Sequence, residues 1–81
     1  MEKSLSILKD SFKELPNNIE AEQAVIGSIL VSNEIFDEID IIISSNNFYD
    51  PMHQKIYGAI ESLIYKGLLA NPITLKNYFE D

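Results

Sequence analysis

The 81-residue chain has no cysteine, no arginine, no tryptophan and a single histidine. Without cysteine it can form neither a disulfide nor a thiolate metal site, and one histidine cannot complete a usual zinc ligand set. The lack of arginine removes the fork that clamps phosphates. Glycine is scarce too. Gly27, Gly58 and Gly67 are isolated, so there is no glycine-rich phosphate loop. No apolar run is long enough to span a bilayer, and the "MEKSLSILKDSFKEL" start lacks the basic end and apolar core of a signal peptide. These absences predict a cytoplasmic protein without a membrane association.

What is present points to one small domain. The hydrophobic content, 46%, is ordinary for a folded protein. The net charge is −7, and it is unevenly placed. Residues 1–15 are balanced, with three acids and three lysines, while residues 16–81 carry ten acids against Lys55, Lys66 and Lys76. Such a surface repels a nucleic-acid backbone, so no direct nucleic-acid binding is expected. A basic protein partner would be attracted instead.

The apolar periodicity is helical throughout and predicts an all-α fold: a small orthogonal bundle of about four core helices behind an N-terminal arm. The arm, residues 1–15, places Leu5, Leu8, Phe12 and Leu15 at helical spacing. It is either a loose terminus or a short helix docked on the body or on a partner. "ELPNN" breaks the chain, and the globular part follows over residues 16–81. Asn18 (or Asn17) caps a first helix in which Glu20 and Glu22 suit the positive end of the helix dipole. Ala21, Val25 and Ile29 form its core face, and Ala24, Gly27 and Ser28 are small enough to admit another helix. A second helix is expected to carry Phe36, Ile39 and Ile43 inward.

Two further helices start with the same device, an N-cap residue followed by proline at the first helical position: Asp50–Pro51 and Asn71–Pro72. The first of these should bury Met52, Ile56, Ile60 and Leu63 and stop at Lys66 and Gly67. Phe48, just ahead of it, is expected in the core. The last should bury Leu75 and Phe79. Its pattern is still running at "YFED", which predicts continuation in a longer protein. Tyr57 and Tyr65 lie eight residues apart on one side of their helix, and with Phe12 they are the expected protein-interface residues.

Catalysis is not expected. Asp50 and His53 are one helical turn apart, and Ser44 or Ser45 could be invoked as a nucleophile, but a triad is defined by geometry rather than proximity in sequence. An oxygen-ligand cation site among "DEID" lacks EF-hand spacing. His53 reads more simply as a residue in the first turn of a helix, with its ring facing either the bundle or a partner.

Three pieces of the chain together resemble the N-terminal domain of bacterial replicative DNA helicases of the DnaB type. "PNNIEAEQAVIGSIL" resembles that family's opening helix. "NNFYDPMHQKIYGAI" carries its Phe-Tyr-x-x-x-His-x-x-Ile spacing at Phe48, Tyr49, His53 and Ile56, and "ITLKNYF" resembles its short last helix around Thr74 and Leu75. The family often has Asp near the position of Asn71, and either residue can cap.

The resemblance implies a non-catalytic part of a hexameric helicase whose N-terminal domains form a collar and contribute to primase docking. ATP and magnesium would belong to the motor domain of the parent, with no cofactor in this part. The implied partners are other helicase subunits, primase and a helicase loader. The family's subunit-pairing helical hairpin does not follow the matched region here. A stand-alone helical adaptor that binds replication proteins is the alternative reading.

Overall fold

The three longer helices among the described residues each start where a polar side chain takes up free N–H groups of the first turn. The structure is a computed structural model in which residues 18–80 are described; the arm, Phe12 among it, lies outside them. Helix α1 runs Ile19–Val31 and begins with the Ala21 N–H donating to Asn18 Oδ1 at 3.0 Å. It ends at Ser32, whose backbone is extended.

Helix α3 runs Pro51–Tyr65, and the Met52 N–H donates to Asp50 Oδ1 at 2.8 Å. At its other end the Leu68 N–H bonds to Leu63 O and the Gly67 N–H to Ile64 O. This closure requires a left-handed residue, and Gly67 has φ +79°. Helix α4, Pro72–Glu80, is capped reciprocally. Asn71 Oδ1 accepts from the Ile73 and Thr74 N–H groups, and Thr74 Oγ1 accepts from the Asn71 N–H.

Between α1 and α3 the chain departs from the continuous helix that periodicity predicts. A 3₁₀ turn at Asn33–Ile35 leads into a short α2, Phe36–Asp40, and a second 3₁₀ turn occupies Ser45–Asn47. The "IIIS" run explains the early stop. Three consecutive β-branched residues resist helix, and they cannot all face one side of it. Ile41 and Ile42 are exposed and only Ile43 turns into the core. No strand occurs among the described residues, and the fold is all-α. No helix among them is long and apolar enough to cross a membrane.

The core is a cluster in which Tyr57 sits between two phenylalanines, its ring 5.1 Å from that of Phe48 and 5.7 Å from that of Phe36. Val25, Ile29, Ile39, Ile43, Ile60, Leu63 and Leu75 pack with them, and Ala21 of α1 is also buried.

Four expectations change. Tyr57 is not an interface residue: its exposure is 0%. Phe79 is not core: it is 49% exposed, and Leu75 is the one buried residue of α4. Ile56 is half-buried against the core rather than within it. Met52 is exposed, because the inward line of α3 is headed by His53 and continues through Tyr57 and Ile60.

Candidate protein interface

Three polar side chains, Glu22, Asn33 and Asp40, hold the elements together. Glu22 is 1% exposed and faces the segment that starts α3. Its carboxylate accepts from the Tyr49 N–H at 2.6 Å, the Asp50 N–H at 3.3 Å and the His53 ring Nδ1 at 2.8 Å. With an ionised carboxylate, which only accepts, the tautomer that fits this contact carries its hydrogen on Nδ1. A buried acid is tolerable when its lone pairs are taken up in this way. His53 thus faces the bundle, and its ring also meets Phe48 edge-on. The sequence held one signal for this role: Glu22 falls on the same helical face as Val25, Ile26 and Ile29.

Asn33 does similar work elsewhere. Its amide donates to Ile29 O and Ala70 O, at 2.7 and 3.0 Å, and accepts from the Ala70 N–H at 2.8 Å. Both backbone groups of buried Ala70 are therefore held by one side chain at the end of α1. Asp40 is the third. It accepts from Tyr57 Oη at 3.1 Å and Tyr65 Oη at 2.8 Å. Burial, then the Asp40 charge, pushes the Tyr57 phenol up. The hydrogen bond to Asp40 is the main reason the Tyr65 phenol is raised. Burial, followed by the Asp40 charge, raises the Glu61 carboxyl.

This arrangement does not assemble a nucleophile. Asp50 is occupied by the Met52 N–H, and Ser44 pairs with Asn47 rather than His53. Among the described residues no group of three His, Asp or Glu side chains is placed to hold a metal ion.

What the surface does offer is unpartnered apolar area at one end. Ile73, Tyr78 and Phe79 of α4 are exposed, as are Leu68 and Leu69 of the preceding loop. The Tyr78 and Phe79 rings meet edge-to-face at 5.4 Å. Leu68 and Tyr78 line one open groove with Leu63, of about 310 Å³. Tyr65 is 68% exposed, with its hydroxyl tied to Asp40 and its ring edge-on to Phe36. Large exposed apolar side chains are candidates for interaction surfaces.

The family described as DnaB-like helicase N terminal domain matches residues 14–81. The replicative DNA helicase DnaB of Rickettsia felis is 48% identical over 63 residues, covering 78% of this chain and 13% of that protein. The DnaB of Buchnera aphidicola is 37% identical over 78 residues, covering 96% of this chain and 17% of that protein. That of Mycobacterium leprae is 33% identical over 67 residues, covering 83% and 11%. The chain thus spans less than a fifth of the length of these relatives. No solved structure matches it. By the extent of that match, the chain belongs to the DnaB-like helicase N-terminal domain family.

Proposed function

We propose that this chain is the N-terminal domain of a replicative DNA helicase and acts through protein contacts, in the collar that joins subunits of the hexamer and in docking primase. ATP and magnesium serve the motor of the parent protein, and a helicase loader is a further partner. The chain would act in the cytoplasm, at the replication fork. The observation that carries the reading is the exposed apolar set Leu68, Leu69, Ile73 and Phe79 on an acidic chain. Apolar residues supply binding energy at the centre of an interface, and an acidic rim selects a basic partner.

The test is sedimentation velocity of the full-length protein alone and with its cognate primase. Wild type should form a hexamer that shifts on adding primase. Ile73→Asp with Phe79→Asp should weaken one or both associations while leaving the helical signal of this domain intact. Unchanged assembly and primase binding in the double variant would remove α4 from the proposal. Absence of any primase complex with wild type would remove docking itself.

A further inference from the structure

The side of α3 that meets α2 ends in an aromatic residue that is exposed and yet fixed in place. Tyr65 is 68% exposed. Its ring stands edge-on to buried Phe36, with centroids 6.1 Å apart, and its hydroxyl donates to Asp40 Oδ2 at 2.8 Å. Ordering a free side chain opposes binding, and here the ring is ordered before any partner arrives. Tyrosine is also among the residues enriched at the energetic centres of interfaces.

A second apolar residue lies on the α2 side. Asp37, Asp40 and Ile41 fall at i, i+3 and i+4, and Ile41 keeps helical dihedrals beyond the last turn, so the three share one face. Ile41 is 84% exposed. On α3, Glu61 lies one turn before Tyr65 on the same face.

The charges that act on Tyr65 are all negative. After the hydrogen bond to Asp40 and burial, its phenol is raised by the charges of Asp40, Glu61 and Asp37. Burial, and then the Asp40 charge, raises the Glu61 carboxyl. None of the three acids forms an ion pair with a lysine among the described residues. Lys66 of the neighbouring position lines the groove toward α4 with Leu63. The fold thus keeps three carboxylates without a counter-ion around one aromatic ring. A cation between Asp40 and Glu61 would relieve their repulsion and lie beside Tyr65. Arginine suits this place. Its planar fork pairs with carboxylates and stacks on aromatic faces, and its stem can cover an aliphatic side chain. None of these 81 residues is an arginine, so it must come from outside them.

We propose that the surface between α2 and α3, centred on Tyr65 and Ile41, docks an arginine-bearing segment of another protein. Asp40 and Glu61 hold the guanidinium against the Tyr65 ring, and an apolar neighbour of that arginine covers Ile41. This surface lies on a different side of α3 from the α4 groove, and it does not depend on the function proposed for α4.

The test uses the 81-residue chain and two short acetylated, amidated peptides. One contains arginine, leucine and alanine. The other has citrulline, the uncharged isostere, in place of arginine. In a nuclear magnetic resonance titration the arginine peptide should shift the Asp40, Ile41, Glu61 and Tyr65 amide signals saturably, and the citrulline peptide should not. Tyr65→Ala and Asp40→Asn should each weaken binding about tenfold. Glu20→Gln, the same loss of charge in the first turn of α1, should change it by less than about twofold. Glu61→Gln separates docking from structure: it should weaken binding severalfold while making the domain more stable at pH 7. Equal losses for Asp40→Asn and Glu20→Gln would leave only attraction to net charge and overturn the proposal. Signal changes confined to α4, equal binding of the citrulline peptide, or no binding of either peptide would overturn it also.

Discussion

Glu22 and His53 are 31 residues apart in the chain and 2.8 Å apart in the fold, and they join the first turn of α1 to the first turn of α3. The same carboxylate holds the Tyr49 and Asp50 N–H groups, so one buried acid sets where α3 begins. The histidine that looks like a chemical group in the sequence is here a donor in a structural joint.

Removing the acceptor should be severe. Glu22→Ala strands the Tyr49 N–H and the His53 Nδ1–H in a buried site, at about 1–3 kcal/mol for each orphaned group. A loss of about 3 kcal/mol is expected in urea unfolding followed by circular dichroism, a large share of the stability of a small domain. Glu22→Gln keeps one acceptor oxygen and should lose less. A loss below about 0.5 kcal/mol for Glu22→Ala would show that water replaces the carboxylate there.

Asn33→Ala should free both backbone groups of Ala70 and loosen the loop that leads to α4. The expected loss is about 2 kcal/mol. Amide hydrogen exchange at Ala70 should accelerate well beyond that in the middle of α3. Equal protection in variant and wild type would place the grip on Ala70 elsewhere.

The two N-cap residues ahead of proline should behave differently under the same substitution. Asp50→Ala and Asn71→Ala each remove a cap, a change of about 1 kcal/mol. For Asp50 the cost should fall on global stability, because α3 is the spine of the core. For Asn71 it should appear first as faster exchange within α4, whose buried contribution is Leu75 alone.

Glu61 gives a pH-dependent prediction. Burial and the nearby Asp40 charge raise its carboxyl above the ordinary value of 4.5, so the folded state holds that proton more tightly than the unfolded state does. A raised value contributes stability below the unfolded value, and that contribution is lost as pH rises through the folded one. Glu61→Gln should therefore stabilise the domain at pH 7, by up to about 0.5 kcal/mol for this solvent-facing site. The advantage should shrink as pH falls toward 4. Thermal unfolding of both proteins at the two pH values checks it, and a variant less stable at pH 7 would contradict the repulsion.

Helix starts were legible because capping is local chemistry. Asn18, Asp50 and Asn71 each accept from an N–H within three residues, and no distant group is needed. The break between α2 and the isoleucine run was not legible from spacing, because Ile39 and Ile43 fit a helical period whether or not the backbone between them is helical. Glu22 suited the helix dipole by position, and that reading left its inward direction unseen. Phe79 has helical spacing to Leu75, but spacing cannot say whether another element covers it. Phe79→Ala should accordingly change stability by less than about 0.5 kcal/mol. Phe36→Ala, at full burial, should cost about 3–5 kcal/mol.

The attachment of α4 has a consequence for any protein that binds it. A helix held at its start by Asn71 and Thr74, and by one buried leucine, opens at low free energy compared with the whole domain. A partner covering Ile73 and Phe79 must hold that helix in place as well as touch it. Part of the contact energy is spent on ordering. Association at this end is therefore tunable from within: tightening α4, without altering a single residue at the contact, should slow dissociation of the bound partner.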